Sequence, residues 1–121
     1  MFDWNGFLDL AERLAQGDDE ASHRTAISRA YYFAFHRARL FVLSRGVALP
    51  RTGEAHDVVW EVLACAGKGL RGAAAMGLGL RKMRRKSDYD REFLGIGKGK
   101  AQDAVKLARA IVRLLGLEAG L

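Results

Sequence analysis

The sequence of 121 residues is 50% hydrophobic and 28% charged, with 20 Lys plus Arg against 14 Asp plus Glu, a formal net charge of +6. Those figures fit a single domain over 1–121 with a small core, and they exclude a two-domain enzyme. The excess of base makes a polyanion, RNA or DNA, the first partner to test, although charge argues about partners and never about fold.

In chain order the pattern predicts five helices. The first runs over about Asp3 to Gln16, with Trp4, Phe7, Leu8, Ala11 and Leu14 at helical spacing, and closes at Gly17 through the left-handed conformation open to glycine. Asp18 or Asp19 then caps a long second helix reaching about Ser44, with acids in the first turn where the dipole favours them. Pro50 to Gly53 read as a loop, and a third helix follows from about Glu54 to Cys65 with Val58, Val59, Val62 and Leu63 inward. Five glycines between Gly67 and Gly79 each cost about 1 kcal/mol in a helix relative to alanine. That penalty places a loop first and a fourth helix over about Ala73 to Tyr89. Gly95 to Gly99 form a flexible link, and the last helix, about Lys100 to Leu117, shows Ala104, Leu107, Ala108, Ile111, Leu114 and Leu115 on one face. Strand patterns are almost absent, so the expected fold is an all-α up-and-down bundle of four to five helices.

Charge is unevenly spread. Residues 1–20 carry one Arg against six acids, whereas residues 68–100 carry ten bases against three acids, a local +7. A lone cysteine, Cys65, excludes an intramolecular disulfide framework, and three dispersed histidines make no recognisable metal set, so no cofactor or metal is expected. The acidic N-terminal segment resembles neither a signal nor a transit peptide, and no apolar run is long enough to span a bilayer. The expectation is a cytoplasmic protein with no membrane role.

The second helix carries most of the information. At 100° per residue, Ile27, Tyr31, Ala34, Ala38, Phe41 and Val42 make one core stripe. The opposite side holds Arg29, Tyr32, His36, Arg39, Leu40 and Leu43. A helix apolar on nearly every side is central in its bundle or shared with a second subunit. On that second face Arg29 and His36 lie two turns apart with Tyr32 between them. An arginine holds phosphate bidentately, a histidine moves protons near neutral pH, and a tyrosine stacks on bases. The competing reading has Tyr32 and His36 satisfying each other or a backbone carbonyl at a helix packing seam, with Arg29 paired to an acid of the first helix.

Two further features follow. His56 opens the third helix, where a polar surface role is the simpler reading. The run Arg81, Lys82, Arg84, Arg85 and Lys86 cannot lie on one helix face, which suits phosphate contacts better than base reading, while Asp88 and Asp90 stand ready to pair with it.

The segment Arg24-Thr25-Ala26-Ile27-Ser28-Arg29-Ala30-Tyr31-Tyr32-Phe33-Ala34-Phe35-His36-Arg37-Ala38-Arg39, followed by Arg84-Arg85-Lys86-Ser87-Asp88-Tyr89, resembles the paired signatures of HEPN domain proteins. His56, after a glycine-containing loop, falls where one branch of that family tends to have a histidine. The resemblance implies a helical bundle, commonly a homodimer, that binds RNA or nucleotides, with Tyr32, Arg39 and the Arg81 to Lys86 run as binding residues and Asp88, Tyr89 and His56 as motif residues. It also implies a toxin-type, metal-independent endoribonuclease acting with a minimal nucleotidyltransferase partner, in which Arg29 and His36 would be the catalytic pair. The alternative is a non-catalytic protein-interaction module or a structural dimer.

Overall fold

The computed structural model describes residues 1–119, which form five α-helices and, among the described residues, no strand. They are α1 (Asn5–Ala15), α2 (Glu20–Ser44), α3 (Glu54–Ala64), α4 (Lys68–Tyr89) and α5 (Lys98–Ala119). The all-α bundle expected from the periodicity is therefore what forms.

α2 is the central helix and packs against each of the other four. Its sequence explains why. Ala26, Ala30, Ala34 and Ala38 are fully buried and let neighbouring helices approach closely, while Ile27, Tyr31, Phe33, Phe35 and Val42 fill the space between them. The helix starts where Asp19 accepts a hydrogen bond from the Ser22 backbone N–H at 2.7 Å and another from the Ser22 hydroxyl at 3.1 Å. These bonds to the ionised form hold the Asp19 carboxyl below the usual range.

Gly17 closes α1 without the left-handed backbone expected of it, since positive φ occurs only at Gly46, Gly67 and Gly95 among the described residues. Its role is space: a Cβ there would stand 3.0 Å from the Ser22 Cβ. The Gly17 carbonyl accepts a 2.6 Å bond from the ring Nε2 of buried His23, which ties the turn to α2.

α4 begins at Lys68, five residues before the expected Ala73. The predicted loop over 66–72 is thus mostly helix, because packing outweighs the glycine penalty. Leu70, 2% exposed, is buried within that stretch, and further along at Gly77 a Cβ would lie 2.4 Å from Cζ3 of buried Trp60, so the indole of α3 rests directly on the α4 backbone. The glycine link of 95–99 is also shorter than expected, as its last two residues already belong to α5.

Candidate functional site

The spacing of Arg29, Tyr32 and His36 puts all three on one side of α2. There they meet Trp4 and Phe7 from the start of α1 and Arg84, Asp88 and Tyr89 from the end of α4, lining a groove of about 360 Å³. The two motifs of the sequence, separated by more than forty residues, are brought together in this groove.

Arg84 is the least solvated charge in it, at 8% exposure. Its guanidinium carbon lies 5.6, 5.3 and 5.9 Å from the ring centres of Tyr31, Tyr32 and Tyr89, so the cation is held among aromatic faces. Its ion pair with Asp88 is long, at 3.5 Å, and Asp88 also accepts from the Ser28 hydroxyl at 3.3 Å. The Arg84 Nε is buried without a partner. That nitrogen is sealed from solvent, but Nη2 makes no hydrogen bond and is not sealed, so the guanidinium keeps a donor for an anion with several acceptor oxygens.

Arg29 does not pair with an acid of α1. Its guanidinium lies over Phe7, 4.6 Å from the ring centre, and 5.1 Å from that of Tyr32, with a 3.4 Å contact to the Ser28 hydroxyl. Nor do Tyr32 and His36 bond to each other, since their rings are 6.2 Å apart and tilted. His36 instead stacks on Trp4, 3.5 Å between ring centres and 9° from parallel. Its Nδ1 is buried without a partner, whereas Nε2 stays reachable. Burial first, then the charges of Arg39, a protonated His56 and Arg29, pull its pKa down to about 4.

His56 is half-buried and structurally tied, more than the polar surface residue its position suggests. It stacks on Phe35 at 4.0 Å and is tied into a buried chain of hydrogen bonds. The Trp60 Nε1–H donates to the Tyr31 hydroxyl oxygen at 3.2 Å, and since His56 Nδ1 at 2.6 Å is the one acceptor within reach of the Tyr31 proton among the described residues, we assign that proton as donated to it. Burial pushes the Tyr31 phenol up to about 12, so it remains a donor. The neutral His56 ring then carries its own proton on Nε2. Burial, together with Arg81 and Arg84, lowers its pKa to about 4.

The basic run divides as helix geometry requires. Arg81 and Arg84 turn inward, Arg81 pairing with Asp57 of α3, while Lys82, Arg85 and Lys86 remain exposed outside the groove. Arg39 also lies outside it and lines a neighbouring cavity of about 580 Å³ between α2, the 49–52 loop and the start of α3.

Arg24, part of the quoted signature but given no role there, organises the end of α4. Its guanidinium donates to the backbone carbonyls of Lys86, Ser87, Asp90 and Arg91 and pairs with Glu20 at 2.8 Å. It thereby supplies the donors that the last turn of a helix lacks, and fixes Asp88 and Tyr89 against α2. Trp4 and Phe7 were also legible only as core residues, because an amphipathic stripe does not distinguish a helix seam from the wall of a groove.

Among the described residues no helix is long and apolar enough to cross a membrane, and no cluster of three or more His, Cys, Asp or Glu side chains could hold a metal ion. Comparison with protein-family models, with curated proteins and with solved structures gave no match.

Proposed function

We propose that this chain is a HEPN-like protein that binds RNA or a nucleotide in the groove between α1, α2 and α4. One observation carries the reading: Arg84 is buried among three tyrosine rings with unused donors, next to Tyr89, which is 77% exposed. A phosphate on Arg84 and Arg29 with a base against Tyr89 uses each side chain for what its chemistry does best. Lys82, Arg85 and Lys86 on the outer face of α4 add sequence-independent attraction for the backbone.

The groove favours binding over cleavage. With a pKa of about 4, His36 is protonated in only on the order of one molecule in a thousand at pH 7, which suits a hydrogen-bond donor or weak base better than a general acid. A phosphate seated nearby would raise that value, so metal-independent endoribonuclease activity through Arg29 and His36 is the second reading, supported by the reachable Nε2. In both readings the chain acts as a homodimer, and Leu40 and Leu43, 46% and 38% exposed on α2, give apolar area for that contact or for a nucleotidyltransferase partner.

Replacing Tyr89 with Ala should weaken binding of fluorescent single-stranded RNA by at least about fivefold, the low end of one lost base stack. Because Tyr89 is largely exposed, the fold should survive. Unchanged affinity in an anisotropy titration would remove the groove from consideration. RNA cutting that disappears in His36→Ala while binding persists is the result the catalytic reading requires.

A further inference from the structure

His36 lines two cavities at once, the groove above and the larger cavity of about 580 Å³ beside it. The second cavity is the more electropositive. Its wall contains Arg39, Arg51, His36 and His56 and no carboxylate, whereas the groove includes Asp88. Its volume lies within the roughly 300–1,000 Å³ typical of small-ligand sites. Three of its polar groups have donors free for an acceptor. The Trp60 to Tyr31 to His56 chain fixes the His56 proton on Nε2, and neither that nitrogen nor the guanidinium of Arg39 or Arg51 is hydrogen-bonded or ion-paired within the described protein. Leu49 and Pro50 supply the apolar surface against which a sugar or base edge can rest.

We propose that this second cavity is a phosphate subsite for the adjoining nucleotide of the same strand, so that the ligand is single-stranded RNA crossing His36 and not a mononucleotide. This rests on the groove reading given above. The strand places one phosphate on Arg29 and Arg84 and the next on Arg39, Arg51 and the Nε2–H of His56. His36, stacked flat on Trp4, is the partition over which the connecting sugar passes, with its reachable Nε2 facing the backbone between the two phosphates.

The test compares uridine 5′-monophosphate with a 5′-phosphorylated oligouridylate of about four nucleotides on the full chain, by calorimetry and anisotropy over a range of salt. The expected result is an oligomer bound at least tenfold more tightly than the monophosphate. Arg51→Glu should cut oligomer affinity about tenfold or more and flatten the salt dependence by about 0.7 per lost phosphate contact. Arg51 is exposed on a loop, so folding is not at stake. Arg71→Glu, an equal charge reversal at an exposed position lining neither cavity, is the control and should change affinity far less. Equal weakening by the two reversals, or equal affinity for monophosphate and oligomer, would overturn the subsite. If Arg29→Ala weakens the oligomer while Arg51→Glu leaves it unchanged, the groove reading stands and the subsite falls. If the oligomer does not bind at all, the groove reading itself is overturned and the subsite with it.

Discussion

Arg84 keeps its charge in a place that costs it solvent, whereas His36 and His56 give theirs up. Arg84 has no accessible neutral form, so it survives burial by lying among tyrosine faces and leaning on Asp88. The histidines do have a neutral form, and burial beside arginines selects it, with each pKa lowered to about 4. The linkage is direct. Between about pH 6.5 and pH 4 the unfolded chain takes up protons that the folded chain refuses, so the stability these rings contribute is fully present above 6.5 and is lost as pH falls toward 4. Urea midpoints measured across that window should therefore drop with falling pH, and His36→Gln with His56→Gln should flatten the profile. A midpoint that stays constant from pH 7 to 4.5 would contradict the half-buried placement of both rings. Asp19 and Asp57, whose carboxyls are held low by Ser22 and Arg81, contribute stability that is lost as pH falls through their ordinary value near 3.8, so they touch only the acid edge of the window.

At the scale of elements, α4 is the helix whose sequence argues most against it. Gly69, Gly72, Gly77 and Gly79 weaken it, yet it runs unbroken over Lys68–Tyr89 with Leu70, Ala73, Ala74 and Leu80 buried, and Trp60 of α3 occupies the space a side chain at Gly77 would take. Two alanine substitutions should accordingly move stability in opposite directions. At Gly79 nothing lies within 4 Å of a new Cβ, so Gly79→Ala should stabilise by about 0.5–1 kcal/mol through helix propensity alone. Gly77→Ala forces the Trp60 indole away and should lose about 1–3 kcal/mol from overpacking, more than the propensity gain returns. Chemical denaturation of the pair decides it, and a neutral Gly77→Ala would mean that the indole does not lie on α4. The far end of the same helix is held by Arg24, whose donors on four carbonyls set the position of the Asp88-Tyr89 pair relative to α2.

For the whole molecule, the groove draws on α1, α2 and α4, so any ligand there joins three of the five helices and should raise the unfolding temperature with its concentration. The net charge of +6 is less informative than its layout, with Arg84 inside the groove and Lys82, Arg85 and Lys86 outside it. The proposed homodimer has its own measurement. Sedimentation at micromolar concentration should give a dimer that Leu40→Glu converts to monomer, because a carboxylate cannot be desolvated at an apolar contact without a partner. A monomeric natural chain would confine the binding site to one copy.

Helical periodicity, alanine spacing on α2 and the near absence of strand patterns determined the five-helix fold, because 3.6-residue repetition is a local property written directly in the sequence. The grouping of Arg29, Tyr32 and His36 was equally local. Whether those side chains bond to each other was not: Trp4 reaches His36 from α1, Phe7 lies under Arg29, and only the packing of α1 on α2 puts them there. His56 reads in the sequence as a polar first-turn residue, and becomes a half-buried acceptor because Tyr31 of α2, itself bonded by Trp60, reaches it. The start of α4 and the role of Gly77 belong to the same class. Local propensity argues for a loop over 66–72, where burial of Leu70 accompanies a helix instead, and the close approach of the Trp60 indole to Gly77 is a contact with a residue seventeen positions away that no local pattern announces.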